Sequence, residues 1–264
     1  MEKQTFLLNM FNSSLKIFFI VILTNINISA QWNYCTQSTN PCYGKNLENY
    51  TISGSKWDKN VFKYYFVNGT NDIPGDGEKT AFHTAFSTWA NVVPLSFSET
   101  FIESEADIKI KYVSYSEFCT AFGFETSAYA CTWQPGTNCE GIILLNDERN
   151  TFSLAYNPDN AKDLVYIALH EIGHMLGLCH SNNSSTIMYS DYNPKRSLHA
   201  YDIEGIRSIY PSIKVKNIFE GGTIKVGINK AAEIINNLPY WSEINSGQYV
   251  NLEAIEQSSG GFNW

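Results

Sequence analysis

The 264-residue chain is predicted to be α+β, on three observations. Short runs of β-branched and aromatic residues come early, and an amphipathic helical pattern separates the first from the second. A longer helical pattern follows them, apolar on one side and lined with histidines on the other. Apolar residues make up 44% of the composition and aromatics 14%, enough for a sizeable core.

The elements follow in order. Residues 1–30 read as a signal peptide: Lys16, the short apolar run Ile17–Leu23, then Ile28-Ser29-Ala30 as a small-residue cleavage pattern. The run is too short to span a bilayer, and no later segment reads as a transmembrane anchor. The chain is therefore expected to be secreted. Residues 31–56 form a polar linker. Val61–Val67 is a strand, and Asn71–Gly77 carries turn chemistry. Phe82, Ala85, Phe86 and Trp89 recur at helical spacing, with Pro94 ending the helix. His83 beside that stripe reads as a surface residue. Leu95–Glu99 and Asp107–Tyr112 alternate as strands. Residues 114–140 read as a loop region with Cys119, Cys131 and Cys139, crossed by a strand at Ser127–Trp133; Gly141–Leu145 is a further strand. Asn157-Pro158-Asp159-Asn160 is a helix-start signal, and Leu164, Ala168, Ile172 and Met175 mark the apolar side of the helix that follows. A third helix covers Tyr201–Tyr210, with His199 read as a surface residue before it. After Pro211 the pattern shifts to period 2, so residues 212–264 are expected to be a small or truncated β segment whose partner the sequence does not specify.

The histidine-bearing stretch reads His170-Glu171-Ile172-Gly173-His174-Met175-Leu176-Gly177-Leu178-Cys179-His180. His170 and His174 are four apart, one helical turn on the same face, and can share one ion. Glu171 lies beside the ion without being forced to bind it, which suits a general base. Gly177 permits a left-handed backbone that ends the helix and lets His180 supply a third nitrogen. Three neutral imidazoles with one open position are the donor set of a catalytic zinc rather than a closed structural one.

This H-E-x-x-H-x-x-G-x-x-H stretch, followed by Ser185-Thr186-Ile187-Met188-Tyr189, resembles the metzincins, and Ser181 with Met188-Tyr189 resembles their matrixin branch. The resemblance implies a metzincin, zincin-like catalytic domain over residues 57–211. Its sheet would be twisted, five-stranded and mostly parallel, with an antiparallel edge strand, and three helices would accompany it. It implies Met188 as a Met-turn floor under the zinc and Tyr192 lining the S1′ pocket. Ser190 stands where other metzincins place a tyrosine ligand. The substrates would be proteins or peptides, extended against the edge strand. Calcium is a further candidate, since Asp147 and Glu148 stand where the family has acidic ligands; a solvated turn accounts for them equally well. The residues offer no second histidine set for a structural zinc and no cysteine switch. Tyr201 replaces the first of two adjacent aspartates in the closing helix, and Asp202 matches the second.

The net charge of −8 argues against nucleic acid as a partner. All six cysteines lie beyond the signal, which suggests disulfides: Cys35 with Cys42 by proximity, and Cys119, Cys131, Cys139 and Cys179 among themselves. A buried hydrophobic role is the alternative for Cys179. The rival functional class is a non-catalytic adhesion or binding module on the same scaffold, against which the intact Glu171 argues.

Overall fold

The computed structural model describes residues 45–46, 49–123 and 126–215, and the strands at 223–228, 233–235, 240–243 and 250–255. The expected signal peptide, most of the linker, Cys35 and Cys42 lie outside the described residues. The element order is β1 (Lys45–Asn46), β2 (Thr51–Ile52), β3 (Val61–Phe66), α1 (Gly77–Ala90), β4 (Ser96–Glu99), β5 (Ile108–Val113), α2 (Tyr115–Phe122), β6 (Ala130–Thr132), β7 (Ile142–Asn146), β8 (Phe152–Ser153), β9 (Lys162–Asp163), α3 (Leu164–Met175) and α4 (Ala200–Ile209). The strands β10 (Ser212–Val215), β11 (Thr223–Ile228), β12 (Glu233–Ile235), β13 (Tyr240–Glu243) and β14 (Val250–Ile255) follow.

The main sheet has the order β4-β3-β5-β7-β6. Its first four strands are parallel, and β6 runs antiparallel to β7 at the edge. This is the α+β arrangement expected, with the edge strand shortened from Ser127–Trp133 to Ala130–Thr132. The later strands form two small antiparallel sheets, β10 with β13, and β11 between β12 and β14.

The core follows from the periodicities. Phe82, Ala85, Phe86 and Trp89 are all buried on α1, as are Leu164, Ala168, Ile172 and Met175 on α3. The Trp89 indole N–H donates to Leu169 O at 3.0 Å, a buried bond that joins the two helices. Around it Phe86 stacks between Tyr64 and Phe97, with centroids 4.5 and 4.7 Å away. The sheet is buried on both faces: Ile143 and Leu145 of β7 enter this core, while Ile142 and Leu144 enter a second cluster with Phe118, Ala121, Cys131 and Trp133.

Helix α2 covers that second face and departs from the loop expected there. Its signals stand in the sequence. Ser114 Oγ accepts from Glu117 N at 3.3 Å, and Gly123 ends the helix at φ 80°. A short helix with one apolar face is hidden when its residues lie among cysteines and turn formers.

Cys119, Cys131 and Cys179 are thiols, so the pairing expected among Cys119, Cys131, Cys139 and Cys179 does not form. Their positions explain it. Cys131 is buried on β6, and Cys179 lies on the segment before His180 with its sulfur 3.2 Å from Gln134 Nε2. Burial as small hydrophobes, the alternative read for Cys179, describes Cys131 and Cys179.

Candidate metal centre

Helix α3 is the platform of the site. Its cap is Asp163, not the 157–160 turn upstream: the fully buried carboxylate accepts from Val165 N at 3.1 Å and Tyr166 N at 3.2 Å. The same carboxylate receives Arg196 Nε and Nη2, both at 3.0 Å, a two-pronged ion pair that fixes the start of the helix. At the other end Gly177 adopts φ 106°, and a Cβ there would lie 2.7 Å from Ser55 O. Both the left-handed backbone and the close approach demand glycine. The chain then folds back, with Leu178 N on Gly173 O and Cys179 N on Thr51 O, each at 2.9 Å, and delivers His180.

Three ring nitrogens converge. His174 Nε2 and His170 Nε2 are 3.1 Å apart, and His170 Nε2 and His180 Nε2 are 3.2 Å apart. Each remaining nitrogen of the helical pair is engaged: His170 Nδ1 lies 2.8 Å from Ile187 O, and His174 Nδ1 lies 2.8 Å from Leu178 O. A carbonyl only accepts, so both Nδ1 atoms carry the proton and both Nε2 atoms present lone pairs. Lone pairs facing one another this closely repel unless a cation sits between them. Tetrahedral zinc with nitrogens at ~2.0–2.1 Å requires nitrogens about 3.3 Å apart, and the donor set is one that zinc takes readily. The residues therefore fit the ion. Among the described residues this is the one group of three or more such side chains that could hold a metal.

The electrostatics favour the ligand form. Burial, helped by neighbouring His180, pulls His170 down to about 4. Burial also pulls His174 well below the usual histidine range, and lowers His180 against the opposing charge of Asp191. All three rings are thus neutral at neutral pH. Glu171, 7% exposed, is pushed up to about 8 by burial.

The other expected site residues are placed as follows. Met188 is buried against α3, such that a Cβ on Gly173 would come 2.3 Å from its sulfur. Tyr192 is half-buried, its hydroxyl accepting from Asp163 N at 2.7 Å and its ring 5.5 Å from that of Tyr166. Among the described residues Asp147 and Glu148 belong to no group of three histidine, cysteine or acidic side chains placed to share an ion. Glu148 accepts from Tyr115 N at 2.7 Å at the start of α2, and Asp147 is raised by burial, with Asp72 adding to the shift.

Several supporting roles escaped the sequence. Gly173 admits Met188 beneath the helix. Trp57 Nε1 donates to Met175 O at 2.9 Å. Asp202 reaches furthest: its buried carboxylate accepts from Ile187 N at 2.9 Å, Met188 N at 3.3 Å and His199 N at 2.8 Å. Since Ile187 O in turn holds His170 Nδ1, one residue separates Asp202 from a candidate ligand. His199, read as a mere surface residue, caps α4 through Tyr201 N at 3.2 Å. The Asp163 cap was findable: an aspartate stands directly before the run Leu164-Val165-Tyr166-Ile167.

Comparison with known proteins adds the following. The family model described as Matrixin matches residues 56–211. Karilysin of Tannerella forsythia is 30% identical over 234 residues, covering 81% of this chain and 48% of that protein. Stromelysin-2 of Rattus norvegicus is 38% identical over 168 residues, covering 61% of this chain and 34% of that protein. Matrix metalloproteinase-26 of Homo sapiens is 32% identical over 160 residues, covering 59% of each. The chain thus spans about half of the first of these relatives and a third of the second. Among the described residues no helix is long and apolar enough to cross a membrane.

Proposed function

The chain belongs to the matrixin family, and from that premise we propose that it is a secreted zinc-dependent endopeptidase that cuts extended peptides with Glu171 as general base. The observation that carries the reading is the convergence of the His170, His174 and His180 ring nitrogens, two of them with their protons turned away onto carbonyls. Bound there, zinc supplies a Lewis acid that polarises a carbonyl oxygen and acidifies water.

The chain's own residues supply the rest. Glu171, next to His170 and shielded from bulk water, takes a proton from the attacking water and returns it to the departing amine. Burial alone raises the carboxyl to about 8 and favours its protonated form; the positive charge of zinc bound beside it would favour the carboxylate that accepts the proton. Among the described residues strand β6 has a sheet neighbour on one side alone, β7, so an extended substrate can add to its other edge through main-chain hydrogen bonds. Met188 supports the helix beneath the histidines, and Tyr192 with Tyr166 walls a pocket for the side chain after the scissile bond. An aromatic wall of this kind favours apolar residues there.

The test is Glu171→Ala. The variant retains one zinc per chain by elemental analysis and loses at least ~100-fold in peptide hydrolysis. Undiminished hydrolysis in a preparation free of other proteases would remove Glu171 from its role. Secretion is checked separately, by N-terminal sequencing of exported material, which should begin after Ala30.

A further inference from the structure

A cation stands beside the proposed substrate groove and has no part in the mechanism above. Lys162, in β9, holds its ammonium 4.2 Å from the ring centre of Tyr129 and 4.6 Å from that of Tyr192. The two rings lie edge to face, 5.4 Å apart. Tyr129 directly precedes the edge strand β6. Tyr192 follows the Met-turn and touches Tyr166, whose ring is 6.2 Å from that of His170. A run of rings therefore leads from the candidate metal ligand to the ammonium, along the wall that an added substrate strand would face.

Most lysines of the main sheet and its flanks are matched. Lys59, Lys63, Lys79, Lys109 and Lys111 each have an acidic partner. Lys162 has no carboxylate partner among the described residues. Its chain neighbour Asp163 is turned inward, committed to the α3 cap and to Arg196. Aromatic faces hold an ammonium in place without cancelling its charge. In a chain of net charge −8, an ammonium held at this spot without a carboxylate attracts an anionic side chain brought to it. A strand laid on β6 presents alternate side chains to one face, about 7 Å apart. Side chains within three residues of the scissile bond therefore reach from the Tyr166–Tyr192 wall to the ammonium.

We propose that Lys162 is a specificity-determining residue that selects a substrate bearing an Asp or Glu side chain within the first three residues on the C-terminal side of the scissile bond. The inference rests on the endopeptidase reading. It is tested on the zinc-loaded full chain with C-terminally amidated peptides, so that side-chain carboxylates alone report, each of the three positions being varied in turn among Asp, Glu, Asn, Gln and Lys. The wild type should favour the acidic residue over its amide about fivefold in kcat/KM at one of these positions at low ionic strength. The preference should shrink towards parity near 1 M salt, where the screening length is ~3 Å. Lys162→Gln should abolish the preference, Lys162→Arg should retain it, and Lys162→Glu should turn it towards lysine, with circular dichroism confirming that each variant is folded. Cleavage without acidic preference at any of the three positions, or a preference that survives Lys162→Gln, would overturn the inference and leave the endopeptidase reading standing. Failure of the zinc-loaded wild type to cut any peptide would remove both.

Discussion

Gly173→Ala should destabilise the domain, although it replaces a mid-helix glycine with the best helix former. Propensity alone predicts a gain of about 1 kcal/mol. Against it stands the space: the new Cβ would meet Met188 Sδ at 2.3 Å, Trp89 Cζ2 at 3.1 Å and Met188 Cε at 3.2 Å. Trp89 is fully buried and tied to Leu169 O, so it cannot retreat. Met188, 2% exposed, has little room either. Overpacking of this kind costs about 1–3 kcal/mol, which exceeds or cancels the propensity gain. The net expectation is a loss of up to about 2 kcal/mol, read by urea unfolding of the zinc-loaded protein. Zinc affinity should weaken in parallel, since Gly173 directly precedes His174. In a Met188→Ala background the main obstruction is gone and the Trp89 contact alone remains, so the same substitution should cost less than in the native background. If Gly173→Ala is stabilising in the native background, Met188 yields freely and the close packing beneath the helix is not a constraint.

Asp202→Ala strands three N–H donors, the buried ones of Ile187 and Met188 and the part-buried one of His199. The expected cost is about 3 kcal/mol, with faster zinc release because Ile187 O steadies His170; unchanged release in a chelator chase would cut that link. Metal-stripped protein should lose stability in acid through His170, whose folded value is lowered to about 4 from an ordinary 6.5. A depressed value means the contribution is present above pH 6.5 and is lost as pH falls towards about 4, on the order of 3 kcal/mol in all. Urea titrations from pH 7 to 4.5 should show a shallower loss in His170→Gln than in the wild type; equal slopes would contradict the assignment.

The sequence made some parts of this molecule legible and concealed others for physical reasons. Metal coordination compresses its requirements into eleven consecutive residues, so the spacing of His170, His174 and His180 could be read without a fold. The α1 stripe of Phe82, Ala85, Phe86 and Trp89 was legible because one face meets one core. Helix α2 was hidden: its eight residues give periodicity little to work with, and its need arises from the far face of β7. The thiol state of Cys119, Cys131 and Cys179 depends on tertiary distance, which an even cysteine count does not encode. Asp202 and Gly173 act through partners 15 residues away in sequence; their importance exists once the Met-turn has been folded under α3. Lys162, with no carboxylate partner among the described residues, is of the same kind, since its meaning comes from two tyrosines brought together from just before β6 and from the Met-turn region.

The central claim is that His170, His174 and His180 hold one zinc with a fourth position left to water or substrate. X-ray absorption at the zinc edge tests it most directly. The account predicts three imidazole nitrogens and one further light atom, all at ~2.0–2.1 Å, with one imidazole lost in His180→Ala. A sulfur neighbour at ~2.3 Å, or a spectrum unaltered by His180→Ala, would contradict it.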